Sequence, residues 1–330
     1  MKIQLESVIP DTKIYQMFRC SLCGKGSSPC THIIDYLTKH DIQFVNTQPD
    51  LRIVSYNGGP DPQQEQRLLQ LLQQNIPIIV CERTDPASSH LLSTHTKAHT
   101  LNTLHPHIHK FSAVFKNFVL TPRSLYNHPT ILSRYHYSVL RQLHPEYHDD
   151  HPETPSNTLS PDVYQRVYPV PWHRRSSFLG TSFEPLRTKT IDFAQTRPID
   201  VMCSVSTRFG SYYHFHRQRC RDILRILPCK TELRELDKKR YLEAMKQSKI
   251  CVSPYGLGEF GYRDYEAIYC GALLIKPDCS HVETWPNIYQ HDTYIPCKPD
   301  FPLHCSLSYS QSLFGQFSFH PFFIPFPSFT

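Results

Sequence analysis

The sequence predicts an α/β fold with parallel sheets, divided between two domains. Short β-branched and apolar runs recur along the chain, and the segments between them carry apolar residues at helical spacing, the alternation that builds parallel sheets. The length, 330 residues with 39% apolar content, suffices for two medium cores.

The first domain is read over residues 1–143. Residues 51–57 (LRIVSYN) and 76–82 (IPIIVCE) read as strands, and EQRLLQLLQQN between them places leucines on one helical face. Residues 111–121 read as a further strand with its approach, broken by Pro122. Residues 144–190 are rich in proline and polar residues without a sustained period, which predicts a linker or crossover. The second domain spans 191–300. Its expected elements are a buried strand at 198–205, a basic helix at 216–227, an amphipathic helix at 232–247 and a strand at 249–253. A helix at 259–270 ending on Gly271 and a strand at 272–276 complete it. The tail, 301–330, has aromatics and prolines but no periodic order, and reads as a truncated or misjoined C-terminus or an irregular extension.

Composition narrows the function. Charged residues are 19% and the formal net charge is +6, which suits an anionic small ligand and is too thin for a nucleic-acid footprint. There is no run of 18 apolar residues, and MKIQLESVIPDTKIYQ lacks an apolar stretch behind basic residues, so a soluble chain without a membrane span or leader is expected. Cys81, Cys203, Cys251 and Cys270 fall inside predicted strands and helices, as free thiols in a reducing compartment do. The expected location is cytoplasmic, or secretory and Golgi if a membrane anchor precedes this chain. Cys20, Cys23, Cys30 and His32 have zinc-like spacing, but structural zinc sites usually space their second ligand pair further away, so ordinary loop cysteines are the stronger reading and no metal is expected. His90, His95, His99, His105, His107 and His109 read as loop histidines.

The chemistry concentrates in SKICVSPYGLGEFGYRDYEAIYCGALLIKPD, residues 248–278. Pro254 stops a buried strand, and Gly256 and Gly258 provide a tight turn under a helix, a place suited to phosphates. On a helix beginning at Glu259, the residues Glu259, Arg263 and Glu266 stand at i, i+4 and i+7 and share a stripe. One reading is a solvated face with intrahelical ion pairs. The other has Arg263 and the helix N-terminus holding a diphosphate while a carboxylate bonds ribose hydroxyls. Gly256, Gly258 and Gly261 also fit G-x-G-x-x-G, with Asp278 following, which would name an NAD(P)-dependent oxidoreductase. Against that, Glu259 would be a like charge in the pyrophosphate cradle, few residues follow, and the fingerprint usually opens its domain.

Ser253, Pro254, Gly256, Gly258, Glu259, Arg263, Glu266, Ala267, Gly271, Ala272, Lys276 and Pro277 form a block that resembles the C-terminal signature of exostosin-like and group 1 GT-B glycosyltransferases. Weaker resemblance runs through residues 197–201, 82–85 and 116–117. It implies a GT-B fold of two Rossmann-like domains, the C-terminal one incomplete in this chain, and transfer of a sugar from a nucleotide-diphosphate donor to a carbohydrate or other hydroxyl acceptor. No cofactor or metal is implied. Carried over by position, Glu266 would contact the ribose, Arg263 with Gly256 and Gly258 would face the diphosphate, and Glu259 would lie near the sugar. Asp85, beside Glu82 and Arg83 at a strand end, is expected to touch the acceptor or act as the base, against an ion pair capping the strand. Arg208, His214, His216, Arg217 and Arg219 follow the strand at 201–205, and one of them could add a second cation, against a solvated basic face; Arg208 is counted with the donor set. The spacing from Glu259 to Glu266 is one residue shorter than the E-x7-E of many retaining enzymes, so the resemblance assigns no stereochemistry. A non-catalytic or degenerate nucleotide-sugar-binding protein is the alternative.

Overall fold

The computed structural model describes residues 1–7, 41–56 apart from 42 and 46, 62–82, 94–95, 100–101, 105–127 apart from 117, 139, 142, 160–169, 196–207, and 212–300 apart from 257, 285–286 and 290–292. The chain divides into two compact units, each an α/β layer structure around a parallel sheet.

In the first unit, β1 (Lys2–Ser7), β2 (Gln43–Phe44), β3 (Leu51–Tyr56), β4 (Ile78–Glu82), β7 (Ala113–Lys116) and β9 (Val167–Pro169) form one sheet in the order β2-β1-β3-β4-β7-β9. Every neighbouring pair is parallel. Between β3 and β4 runs α1 (Pro62–Leu72), whose Leu68 and Leu71, one turn apart, are fully buried while Gln66, Arg67 and Gln70 are exposed. That i, i+3 pair is the apolar stripe that holds the helix on the sheet, each side chain contributing about 1.5–3 kcal/mol of burial. A short antiparallel pair, β5 (Thr94–His95) and β6 (Thr100–Leu101), precedes β7. The expected strand at 111–121 is two, β7 and β8 (Phe118–Leu120), and a 3-10 turn at Arg123–Asn127 follows Pro122.

The span read as linker is structured in part. A single helical turn, α2 (Pro161–Tyr164), leads into β9, which joins the sheet edge beside β7 with Val167 fully buried. Arg166 ties this return to the residues before β7, donating to the carbonyls of His109 and Phe111. Proline density hid a three-residue strand too short to show a period.

The second unit holds β10 (Ile199–Met202), α3 (Tyr212–Arg225), β11 (Thr231–Glu232), α4 (Lys238–Lys246), β12 (Ser248–Val252), α5 (Tyr262–Tyr269), β13 (Leu273–Pro277), β14 (Val282–Thr284) and β15 (Ile295–Cys297). Its sheet runs β11-β10-β12-β13-β15, all parallel. Val201, Ile250, Val252 and Ile275 from the sheet, with Cys203 and Val205 just after β10, pack with Cys220 and Leu224 of α3. Within α3, His216, Cys220 and Leu224 recur every fourth residue and are buried, while Arg219, Asp222 and Arg225 face solvent. Cys203, Cys220, Cys251, Cys270, Cys279 and Cys297 are buried free thiols.

The helix expected at 232–247 begins only at Lys238. Thr231 and Glu232 pair with Val201 and Met202 as an edge strand, and Asp237 caps α4 by accepting from the Arg240 N–H at 3.1 Å. Counting only the strands of this sheet in chain order, it reads 2-1-3-4-5. The order reverses between β10 and β12, and in open α/β sheets the carboxyl ends of the strands flanking such a reversal open a crevice.

Candidate functional site

Two loops leave the sheet at this switch point. After β10 come Cys203, Ser204, Val205, Ser206 and Thr207; after β12 come Ser253, Pro254, Tyr255 and Gly256. Arginines from both following helices reach the same loops. Arg217 of α3 bridges them, donating from Nε to the Tyr255 carbonyl at 3.2 Å and from Nη1 to the Ser206 carbonyl at 3.1 Å. Arg221, one turn on, donates to Thr207 Oγ1 at 3.3 Å. From α5, Arg263 donates through Nη2 to the Ser204 carbonyl at 3.3 Å, while its Nε is buried without a hydrogen-bond partner among the described residues. These guanidiniums therefore converge on the same pair of loops.

Gly256 has a steric role here. A Cβ on it would stand 3.1 Å from Arg217 Nη2, so glycine leaves room for the guanidinium beside the loop. Among the described residues the glycine at positive φ is Gly271, at 69°, which ends α5 as expected of a C′ glycine. Gly258 is buried, and its carbonyl accepts from the Gly256 N–H at 3.1 Å.

The helix does not start at Glu259. Gly261 is extended at φ −136°, ψ 153° and serves as N-cap, so α5 runs from Tyr262. Glu259 thus belongs to the loop, and the three-residue stripe is corrected to a pair, Arg263 and Glu266, at i, i+3. Glu259 has no exposed surface, which makes it an internal carboxylate of the loop, close enough to Tyr255 and Cys279 for its charge to push both their groups up on top of burial. Among the described residues Arg263 forms no ion pair with Glu266, so the intrahelical ion-pair reading does not hold.

Asp264, which the sequence reading passed over, organises the loop. It is fully buried. Its Oδ1 accepts from Ser253 Oγ at 2.5 Å; its Oδ2 accepts from Tyr289 Oη at 2.7 Å and the Gly261 N–H at 2.9 Å, and lies 3.2 Å from Lys276 Nζ. This carboxylate already occupies the N-terminus of α5, so the cationic face offered to an anion is that of the arginines rather than of the helix dipole. Lys276 is buried at the end of β13 with its ammonium 5.5 Å from the centre of the Tyr255 ring. The signal that could have found Asp264 is its place three residues after Gly261, the N3 position of a helix start.

Glu266 is 5% exposed. Tyr241 of α4 donates to its Oε2 at 2.8 Å, and burial pushes its carboxyl above the usual range while the Tyr241 hydrogen bond, Arg263 and Lys238 pull the other way.

Of the remaining expected residues, Asp85 and Arg208 lie outside the described residues, as do Arg83, Cys20, Cys23, Cys30, His32 and the tail 301–330; Glu82 ends β4. Of the five candidates for a second cation, Arg217 touches both loops and Arg219 is exposed. The fingerprint glycines follow the third strand of their sheet rather than the first, and Asp278 spends its carboxylate on Ser280, accepting from its N–H and hydroxyl at 2.9 Å each. Both facts oppose the oxidoreductase reading.

Among the described residues no group of three His, Cys, Asp or Glu could hold a metal ion, and no helix is long and apolar enough to cross a membrane. No protein-family model matches the chain, and no curated protein matches it.

Proposed function

We propose that the crevice between the loops after β10 and β12 binds the diphosphate of a nucleotide sugar, and that the chain is a glycosyltransferase of GT-B type acting on a hydroxyl acceptor. The observation that carries this reading is Arg263: a guanidinium at the switch point whose Nε is buried without an acceptor among the described residues. Burying such a donor costs free energy unless a partner arrives, and a diphosphate oxygen supplies a charge-assisted one. Arg217, lodged against Gly256, provides the second cation.

In this reaction the acceptor oxygen bonds to the anomeric carbon, the bond from that carbon to the diphosphate oxygen breaks, and the acceptor proton passes to a base, the role proposed for Asp85. Negative charge grows on the departing diphosphate through an oxocarbenium-like transition state. Fixed guanidiniums stabilise that charge without a metal ion. Glu266 takes the ribose hydroxyls.

Calorimetry with UDP and GDP tests the binding, and donor hydrolysis with a panel of nucleotide sugars tests the chemistry. Arg263→Ala is expected to weaken diphosphate binding about 10- to 100-fold, the loss of one charged hydrogen-bonding group. Absence of binding by either nucleotide sinks the reading. Binding without transfer or hydrolysis across the panel assigns the chain to the non-catalytic nucleotide-sugar binders.

A further inference from the structure

Glu266 has a partner that the motif around it does not contain. Tyr241 lies on α4, outside the block of residues 248–278, and its hydroxyl donates to Glu266 Oε2 at 2.8 Å. Among the described residues this bond on Oε2 is the side-chain hydrogen bond that Glu266 makes. A carboxylate bonded on one oxygen only is free to rotate about its own axis unless that bond is short and its donor fixed. Tyr241 is half-buried on a helix that packs on α5, so it fixes the plane and leaves Oε1 as the acceptor of set direction. We propose that Tyr241 is a positioning residue that holds Glu266 ready for ribose hydroxyls and thereby gives the donor site its preference for a ribonucleotide; this rests on the donor-site reading above.

The charge environment gives the pair a second signature. From α4, Lys238 and Tyr241 face Glu266; from α5 itself come Arg263 and Asp264; Cys251 of β12 lies beside Tyr241. Burial raises the carboxyl above its usual range and Asp264 adds to the rise, while the Tyr241 hydrogen bond, Arg263 and Lys238 oppose it. Removing the phenol hydroxyl takes away the first of the opposing contributions, so the carboxyl protonates at higher pH. A protonated Glu266 loses acceptor capacity, and ribose-dependent affinity falls with it.

The test is calorimetry with UDP or GDP, whichever the wild-type chain binds, against its 2′,3′-dideoxy form, from about pH 4 to about pH 8. In the wild type the ribose form is expected to bind more tightly, with the preference lost toward acid. Tyr241→Phe should cut the preference about five- to tenfold, leave affinity for the dideoxy form unchanged, and move the acid loss to higher pH; in a Glu266→Gln background it should add nothing. A Tyr241→Phe protein that keeps both the preference and its acid limb overturns the inference. A wild type that binds the nucleotide with no ribose preference also overturns it while the donor-site reading stands, whereas a wild type that binds neither nucleotide removes both. Should Tyr241→Phe fail to fold, the wild type decides alone: a ribose preference constant down to about pH 4 is the overturning result.

Discussion

At the scale of single residues, Glu266 is a carboxylate whose position costs stability. Burial raises its carboxyl above the ordinary range, so between the ordinary and the raised value the folded state holds a proton that the unfolded state has released. Stability then falls as pH rises through that window and stays lower above it. Glu266→Gln keeps an acceptor for Tyr241 and removes the titration. Its unfolding free energy, measured in urea, is expected to gain on the wild type as pH goes from about 4 to about 8, while nucleotide affinity drops; a gap between the two proteins that does not change with pH contradicts this. On the ribose reading proposed above, a group that weakens the fold is what a binding site tolerates. The sequence displayed this glutamate and Arg263 plainly, because both sit in a dense motif. Arg217 was legible only as one of five basic residues: helical spacing assigns it a side of α3, but which rung meets the loop at Gly256 depends on where α3 lies on the sheet.

Elements were legible where a period or a cap was strong. The strand at β12 and the stop of α5 at Gly271 could be read from the chain. The start of α5 could not, because Gly261 carries no capping side chain, and charges at i, i+4 and i+7 imitate a helix face even when the first lies in a loop. Asp264 supplies what the glycine lacks, by accepting the Gly261 N–H at 2.9 Å. Its bonds to Ser253 after β12 and Tyr289, and its ion pair with Lys276 of β13, tie the start of α5 to the carboxyl ends of two central strands. Both members of the ion pair are fully buried. Asp264→Ala leaves a buried ammonium uncompensated, and is expected to cost about 3–5 kcal/mol in urea unfolding. Replacing both, Asp264→Leu with Lys276→Met, should cost less than Asp264→Ala alone, since no stranded charge remains. A single-variant loss below about 1 kcal/mol, in the range of exposed pairs, means that the cluster does not anchor the helix.

For the whole molecule, alternation of strands and helices predicted parallel sheets, and both units have them. Strand order was beyond reach, because alternation constrains which elements are neighbours in the chain and says little about which strand lies beside which. That order is what locates the crevice: β10 and β12 are adjacent although α3, β11 and α4 separate them in sequence, so residues near 204 and 217 meet residues near 256 and 263 only in the folded unit. A ligand bound there joins the loops after β10 and β12 to α3 and α5, and every contact it makes is lost on unfolding. It must then stabilise the folded state by about 2.7 kcal/mol at a hundred times its dissociation constant. For the diphosphate reading, UDP or GDP should raise the melting temperature by about 4 °C at such concentrations, and the rise should shrink in high salt as the guanidinium contacts are screened. Arg217→Ala and Arg263→Ala should each reduce the shift, and the double variant should lose it. A shift that persists in the double variant places the anion elsewhere in the molecule, and a wild-type transition that neither nucleotide moves at millimolar concentration removes the switch-point crevice as its site.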